Sequence, residues 1–182
     1  MDSFAEQLIK KKMGGKEIAI VILLFLATTI VSLAILLFAP VVAVLLVFVI
    51  WGAWWLLQTQ HIEYEYSVLN GDLDIDKIVG KRKRKRVVQV RANKIDEFLP
   101  VTDKVRLADY QRVLVAGWSK ETATFYVTYN SKKNGRTIVL MEPNARVFKE
   151  LYDGQSRIKQ LALEKACREA GVALPTEQKT EA

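Results

Sequence analysis

Residues 18–57 read IAIVILLFLATTIVSLAILLFAPVVAVLLVFVIWGAWWLL and carry no Asp, Glu, Lys, Arg or His. One bilayer crossing needs about 20 apolar residues, so this run is long enough for two. Pro40 lies near its middle, and proline removes a backbone donor and disfavours helix at the residue before it. We therefore predict a transmembrane helical hairpin, with one helix at 18–38 and a second at 40–57.

Three other interpretations of this run fit less well. It is too long and uniform for the core hairpin of a soluble protein. A kinked helix lying in the membrane interface would need a polar face, and a cleaved signal peptide would be shorter and would end in a small-residue cleavage site. The run contains no ionisable side chain, which pumps and channels usually require, so it predicts an anchor.

Basic residues flank the run on both sides. Lys10, Lys11, Lys12 and Lys16 precede it, and the unbroken basic segment 81–86 follows it. Positively charged flanks stay in the cytoplasm. Both ends on one side require an even number of crossings, so we expect a multi-pass protein of the cell membrane with both termini cytoplasmic.

Three tryptophans stand near the end of the second predicted helix. Trp51, Trp54 and Trp55 are spaced i, i+3, i+4 and share one helix face. Tryptophan is enriched at the headgroup level, which predicts membrane-interface anchors at the cytoplasmic end. Packing of the same rings between the two helices is an equally good interpretation.

The remaining chain is long enough for one compact domain. Residues 58–182 hold 23 Lys or Arg and 17 Asp or Glu, a net charge of +6 that the segment 81–86 accounts for by itself. Basic character is therefore local, which argues against nucleic-acid binding over a whole surface. Cys167 is the single cysteine, so no internal disulfide and no cysteine zinc cluster can form.

The chain divides into four segments in this interpretation. Ser3 and Glu6 have the spacing of a capping box, so residues 1–17 are predicted to form a cytoplasmic amphipathic helix. The hairpin follows at 18–57. Residues 58–172 form a cytoplasmic α+β domain, and 173–182 form a flexible tail.

Alternating apolar residues predict about six strands in the domain. Asn70-Gly71 is a strong hairpin signal, and Asn134-Gly135 is a second one. The predicted strands are His61–Val68, Asp72–Val79, Lys85–Ala92, Tyr110–Trp118, Thr122–Tyr129 and Arg136–Met141. Asn144 is expected to cap a helix whose apolar face contains Val147 and Phe148, and a second helical stretch runs over Ser156–Ala170 with Ile158 and Leu161 among its apolar residues.

The stretch YEYSVLNGDLDIDKI at 64–78, followed by KRKRKR at 81–86, resembles a family of small bacterial two-pass membrane proteins with a domain of unknown function. It is also similar to bacterial pleckstrin-homology-like (PH-like) domains attached to membrane helices. The resemblance implies a membrane hairpin followed by a small antiparallel sheet closed by a C-terminal helix. It implies no catalytic residue.

Three carboxylates alternate along the second predicted strand: Asp72, Asp74 and Asp76. They begin like a calcium loop, but Lys77 and Lys83 stand where that loop needs Gly and Glu. On a strand the three share one face, and a turn at Gly80 would set Asp76 opposite Lys83 or Lys85. We therefore predict cross-strand charge pairs, and no metal or cofactor site.

The basic segment is the candidate functional site, and its members are Lys81, Arg82, Lys83, Arg84, Lys85 and Arg86. Near anionic lipid headgroups each basic residue contributes about 1 kcal/mol. Contact with nucleic-acid phosphates is a weaker hypothesis, because no aromatic residue interrupts the segment. A solvated edge that discourages strand pairing between molecules is the third interpretation.

No catalytic motif is recognisable in the sequence. His61 is the single histidine, and Cys167 has no histidine near it in sequence. We expect a non-enzymatic scaffold or binding module that contacts the lipid bilayer, anionic headgroups, another membrane protein or another copy of itself. The alternative is an accessory subunit of a membrane transporter or enzyme complex.

Overall fold

A computed structural model describes residues 4–11, 14–38, 44–103, 105–117, 123–172 and 174. Its helices are α1 Gly15–Phe38, α2 Leu45–Gln58, α3 Ala145–Asp153 and α4 Arg157–Ala170. Its strands are β1 Phe4–Lys10, β2 Ile62–Leu69, β3 Asp72–Val79, β4 Lys83–Val90, β5 Ile95–Pro100, β6 Arg112–Val115, β7 Phe125–Ser131 and β8 Gly135–Met141. The predicted tail and Pro40 lie outside the described residues, apart from Leu174.

The apolar run forms the two helices α1 and α2. With 24 residues, α1 is about 36 Å long, which is enough to cross a hydrocarbon core of about 30 Å. The 14 residues of α2 span about 21 Å. Within the described ranges, α1 is the one helix that is both long and apolar enough to span a membrane, and α2 is a shorter apolar helix. Neither helix is buried in the protein.

The predicted amphipathic helix at the N-terminus is wrong for Phe4–Lys10, which form strand β1. This strand pairs antiparallel with β2 and sets Ala5 opposite Val68 and Ile9 opposite Tyr64. Ala5 and Ile9 are buried in the core by that pairing. The partner strand lies more than 50 residues further along the chain, so the local capping pattern carried no information about it.

The core lies between two four-stranded sheets. The first has the order β1-β2-β3-β4, and the second has the order β5-β7-β8-β6, in which β6 runs parallel to β8. One buried cluster draws residues from both sheets and from α3 and α4. The rings of Phe98, Phe125 and Phe148 meet in it, with centroids 5.0–5.6 Å apart. The mixed α+β class predicted from the sequence is confirmed.

The two C-terminal helices close the core. The cap of α3 is as predicted, because Asn144 Oδ1 accepts a hydrogen bond of 2.9 Å from the Val147 backbone N–H. The apolar face predicted for α4 is not the buried one. Ile158 is 81% exposed, whereas Leu163 and Cys167 are buried.

The turn between β2 and β3 packs against the end of α3. Asn70 and Gly71 both have positive φ, 52° and 84°, as the predicted Asn-Gly hairpin requires. A Cβ atom on Gly71 would lie 2.5 Å from the Cα of Gly154, so two backbones meet here with no room for a side chain.

A basic turn at the base of the apolar helices

The chain leaves the first sheet and returns to it at one place. After β1, the Lys11 N–H donates a backbone hydrogen bond of 2.8 Å to the Ile62 carbonyl at the start of β2. The whole excursion through α1 and α2 therefore begins and ends at one end of the β1–β2 pair, which we call the exit end. Lys11 is also paired there with Glu17, at 2.9 Å.

The turn that opens the basic segment lies at the exit end. The Gly80 N–H donates to the His61 carbonyl at 2.8 Å, and a Cβ on Gly80 would lie 2.8 Å from the Gln58 carbonyl oxygen. Gly80 and Lys81 both have positive φ, 59° and 57°. For a residue with a Cβ, this conformation costs about 1–2 kcal/mol. The turn is thus held directly against the end of α2.

Arg82 contacts the tryptophan face of α2. Its guanidinium carbon lies 5.7 Å from the centre of the Trp54 ring, within the range of a cation–π interaction. Trp51, Trp54 and Trp55 are 46–61% exposed, so these rings point away from the protein interior. The structure therefore brings two predicted groups together, the interface tryptophans and the start of the basic segment.

A β-bulge decides which way the basic side chains of β4 point. Ile75 pairs with Val88, but the next residue, Asp76, pairs with Arg86, so Val87 is an extra residue on β4. The predicted pairing of Asp76 with Lys83 or Lys85 is therefore wrong. In the sequence, the adjacent residues Val87 and Val88 indicate this bulge, because they interrupt the strict alternation of apolar and polar residues along the strand.

The bulge places Arg84 and Arg86 on the face of the sheet that points away from the core, the outer face. Arg86 forms ion pairs with Asp74 at 2.9 Å and with Asp76 at 3.0 Å. The hydrogen bond to Asp76 is the main cause that raises the pKa of the guanidinium, and the charges of both carboxylates add to it. Arg84 pairs with Glu65, which is 8% exposed, and lies 3.6 Å from Asp76. Both arginines are therefore neutralised within the sheet.

The three lysines of the segment are left without such partners. Lys81, Lys83 and Lys85 are exposed, and within the described ranges none of their side chains forms an ion pair or a hydrogen bond. The six predicted site residues thus form three groups. Two arginines stabilise the sheet, Arg82 contacts α2, and three lysines remain available at the exit end.

The other residues considered from the sequence have structural roles here. Asp72 accepts a hydrogen bond of 2.8 Å from the Ala92 backbone N–H. Cys167 is 1% exposed, and burial raises the pKa of its thiol, which makes it a poor nucleophile. Within the part of the chain that the structure describes, no group of three metal-ligating side chains comes together.

A groove of about 1070 Å³ lies at the opposite end of the first sheet, beside the Asn70-Gly71 turn. Its lining mixes acidic side chains such as Asp72 and Asp96 with basic ones such as Arg91 and Lys132. Opposite charges in one open groove do not favour either sign of ligand, so the exit end is the better candidate for recognition of anions.

A family model described as "Bacterial PH-like domain (DUF6106)" matches residues 1–158. The chain belongs to this family. The match covers β1, both apolar helices, every strand of the two sheets and α3, and it ends at the start of α4, so the sheets and the apolar helices belong to one family unit. The family is one of unknown function, and the predicted resemblance to bacterial PH-like domains is confirmed. Searches of curated proteins and of solved structures found no match.

Proposed function

We propose that this protein is a two-pass membrane protein whose PH-like domain is a non-enzymatic binding module held against the cytoplasmic membrane surface. The domain contacts anionic lipid through the lysines of the basic turn. The observation that carries the proposal is the hydrogen bond between Lys11 and Ile62, because it joins the start and the end of the apolar excursion.

This closure limits the number of crossings. A chain that crossed once would start and finish on opposite sides of the bilayer, about 30 Å apart. Here the two ends lie in hydrogen-bond contact, so an excursion that crosses must do so an even number of times. The apolar run supplies enough residues for two crossings, with part of the second lying outside the described residues.

The same closure supports an orientation in which the exit end faces the lipid. The exit end is the part of the first sheet from which the helices leave, so in this proposal it lies nearest the bilayer. Lys81, Lys83 and Lys85 are at this end, and each basic residue near an anionic surface contributes about 1 kcal/mol. In the sequence, Lys10, Lys12 and Lys16 add positive charge before the apolar run, which favours the cytoplasmic side.

Topology is tested by labelling single cysteines in intact cells with a membrane-impermeant reagent. In a Cys167→Ser background, Ala39→Cys reports on the predicted connection between the helices at 18–38 and 40–57, and Lys133→Cys reports on the domain. We expect Ala39→Cys to react from outside and Lys133→Cys to react only after lysis. Reaction of both only after lysis would show that the hairpin enters the bilayer without crossing it.

Lipid contact is tested with a spliced domain in which residue 11 is joined to residue 58 by a short Gly-Ser linker, with folding checked by circular dichroism. This domain keeps the Gln58 and His61 carbonyls that contact the turn at Gly80. We expect salt-sensitive flotation with phosphatidylglycerol vesicles and none with phosphatidylcholine. Replacing Lys81, Lys83 and Lys85 by Gln should abolish flotation. Replacing three exposed lysines elsewhere, Lys132, Lys133 and Lys149, makes the same charge change and should not. Equal loss in both variants would contradict the proposal.

A further inference from the structure

The two faces of the β3–β4 hairpin differ in how their charges are balanced. On the outer face, Arg84 and Arg86 are paired with carboxylates. On the inner face, the side that continues into the core, Lys77 is the direct cross-strand partner of Lys85. Lys83 precedes Lys85 by two residues on β4 and therefore lies on the same inner face.

Two like charges directly opposite each other in a sheet destabilise it. Cβ atoms at such positions are about 4.5–5.5 Å apart, and diagonal neighbours about 7–8 Å, so three ammonium groups on flexible stems can reach one point. Among the described residues, Lys77, Lys83 and Lys85 have no carboxylate partner, whereas Lys11 at the other edge of the sheet is neutralised by Glu17.

We infer that Lys77, Lys83 and Lys85 form a phosphate-binding site, filled by the phosphate of an anionic lipid headgroup. This inference rests on the proposed function, and it adds Lys77, which lies outside the basic segment. A phosphate group presents several acceptor oxygens and negative charge, which three lysines can share as point charges.

The position of the three lysines favours a lipid as the source of the phosphate. They occupy the membrane-proximal end of β3 and β4, next to the turn that contacts Gln58 and Trp54 of α2. With the exit end against the membrane, as proposed above, lipid headgroup phosphates lie on the same side of the domain as these three lysines. A bound phosphate removes the repulsion between Lys77 and Lys85, so ligand binding should stabilise the folded domain.

The test uses the full chain in lipid nanodiscs and follows thermal unfolding by circular dichroism. We expect the midpoint of the wild type to be higher with phosphatidylglycerol than with phosphatidylcholine alone. Lys77→Gln should lose most of that rise while being at least as stable as the wild type in phosphatidylcholine, because the substitution removes the repulsion. Lys85→Gln should behave in the same way, and Lys133→Gln should keep the full rise.

The outcomes separate the two proposals. If phosphatidylglycerol stabilises the wild type and Lys77→Gln equally, the site is wrong and the general lipid contact stands. If it stabilises neither, and the spliced domain does not float with anionic vesicles, the proposed function fails as well. A third outcome would overturn the lipid as the source of the phosphate. In it, inorganic phosphate in neutral detergent raises the unfolding midpoint relative to chloride at equal ionic strength, and this rise requires Lys77. Anionic lipid gives no rise that depends on Lys77.

Discussion

Two turns at opposite ends of β3 each hold two consecutive residues at positive φ, but the residues differ. The first places Asn70 and Gly71 at positive φ, and the second places Gly80 and Lys81 there. Asparagine and glycine suit this conformation, whereas lysine does not. The first turn is thus optimised for stability and packs on Gly154, while the second keeps a strained cation next to α2. Such strain tends to occur at functional sites.

The largest effect should come from removing β1, the edge strand that pairs with β2 along its whole length. A fragment beginning at Gln58 lacks β1 and its seven paired residues, together with buried Ala5 and Ile9. Domains have a stability of only about 5–15 kcal/mol, so we expect this fragment to lose cooperative thermal unfolding. The spliced domain, which keeps β1, should unfold cooperatively and should be monomeric by size-exclusion chromatography. Equal behaviour of the two would contradict the structural importance of β1.

The second-largest effect is expected from a substitution in the Asn70-Gly71 turn. Gly71→Ala combines a positive φ of 84° with a Cβ 2.5 Å from the Gly154 backbone, and we expect a loss of about 3 kcal/mol from strain and overpacking together. The free energy of unfolding in urea measures it. Gly171→Ala is the control for backbone strain alone and should cost about 1–2 kcal/mol, because Gly171 has a φ of 65° and nothing lies within 4 Å of the added Cβ. A small effect of Gly71→Ala would show that the two backbones separate easily.

An exchange of residues between the turns tests their comparison directly. Lys81→Asn should raise the free energy of unfolding by about 1 kcal/mol, because asparagine tolerates positive φ, and it should weaken binding to anionic vesicles. Asn70→Lys should lower stability by about the same amount and leave lipid binding unchanged. If Lys81→Asn binds vesicles like the wild type, the strained lysine has no role in lipid contact.

The smallest effects are expected at the carboxylates of the outer face. Asp76→Asn removes a partner of Arg84 and of Arg86, and should cost up to about 1 kcal/mol at pH 7 in low salt. Burial raises the pKa of Asp74 and outweighs the nearby charge of Arg86, which lowers it. Its contribution to stability is therefore present in acid and lost as the pH rises through that pKa.

Asp74→Asn should accordingly have little effect at neutral pH, or should stabilise slightly. It should also flatten the pH dependence of the free energy of unfolding that the wild type shows in the acid range. A loss at pH 7 as large as that of Asp76→Asn would mean that the ion pair of Asp74 with Arg86 outweighs the effect of burial.

Local signals predicted the parts of this fold that local physics determines. The limits of β3 are as predicted, because the Asn70-Gly71 turn sets the register of the hairpin. The start of α3 follows from the capping side chain of Asn144. The apolar run likewise required only composition to indicate a membrane helix.

The errors occur where distant parts of the chain decide. Phe4–Lys10 form a strand because β2 offers its edge, which no window around residue 4 contains. On α4, Ile158 is apolar but exposed, since the sheets bury the side that bears Leu163 and Cys167. The sequence indicates the basic segment as a candidate site, but the bulge at Val87 determines which face each of its side chains occupies. At Lys77 the sequence pattern indicates only the failure of a calcium motif.

The hydrogen bond between Lys11 and Ile62 has a consequence for biosynthesis. The ribosome makes β1 first, yet this strand cannot pair until β2 emerges, after the whole apolar run has been synthesised. A chain whose hairpin crossed only once would leave β1 and β2 in different compartments, and its sheet could never close. Under the proposed two-pass topology, correct insertion is a precondition for folding, and a misinserted copy would expose an unpaired strand edge.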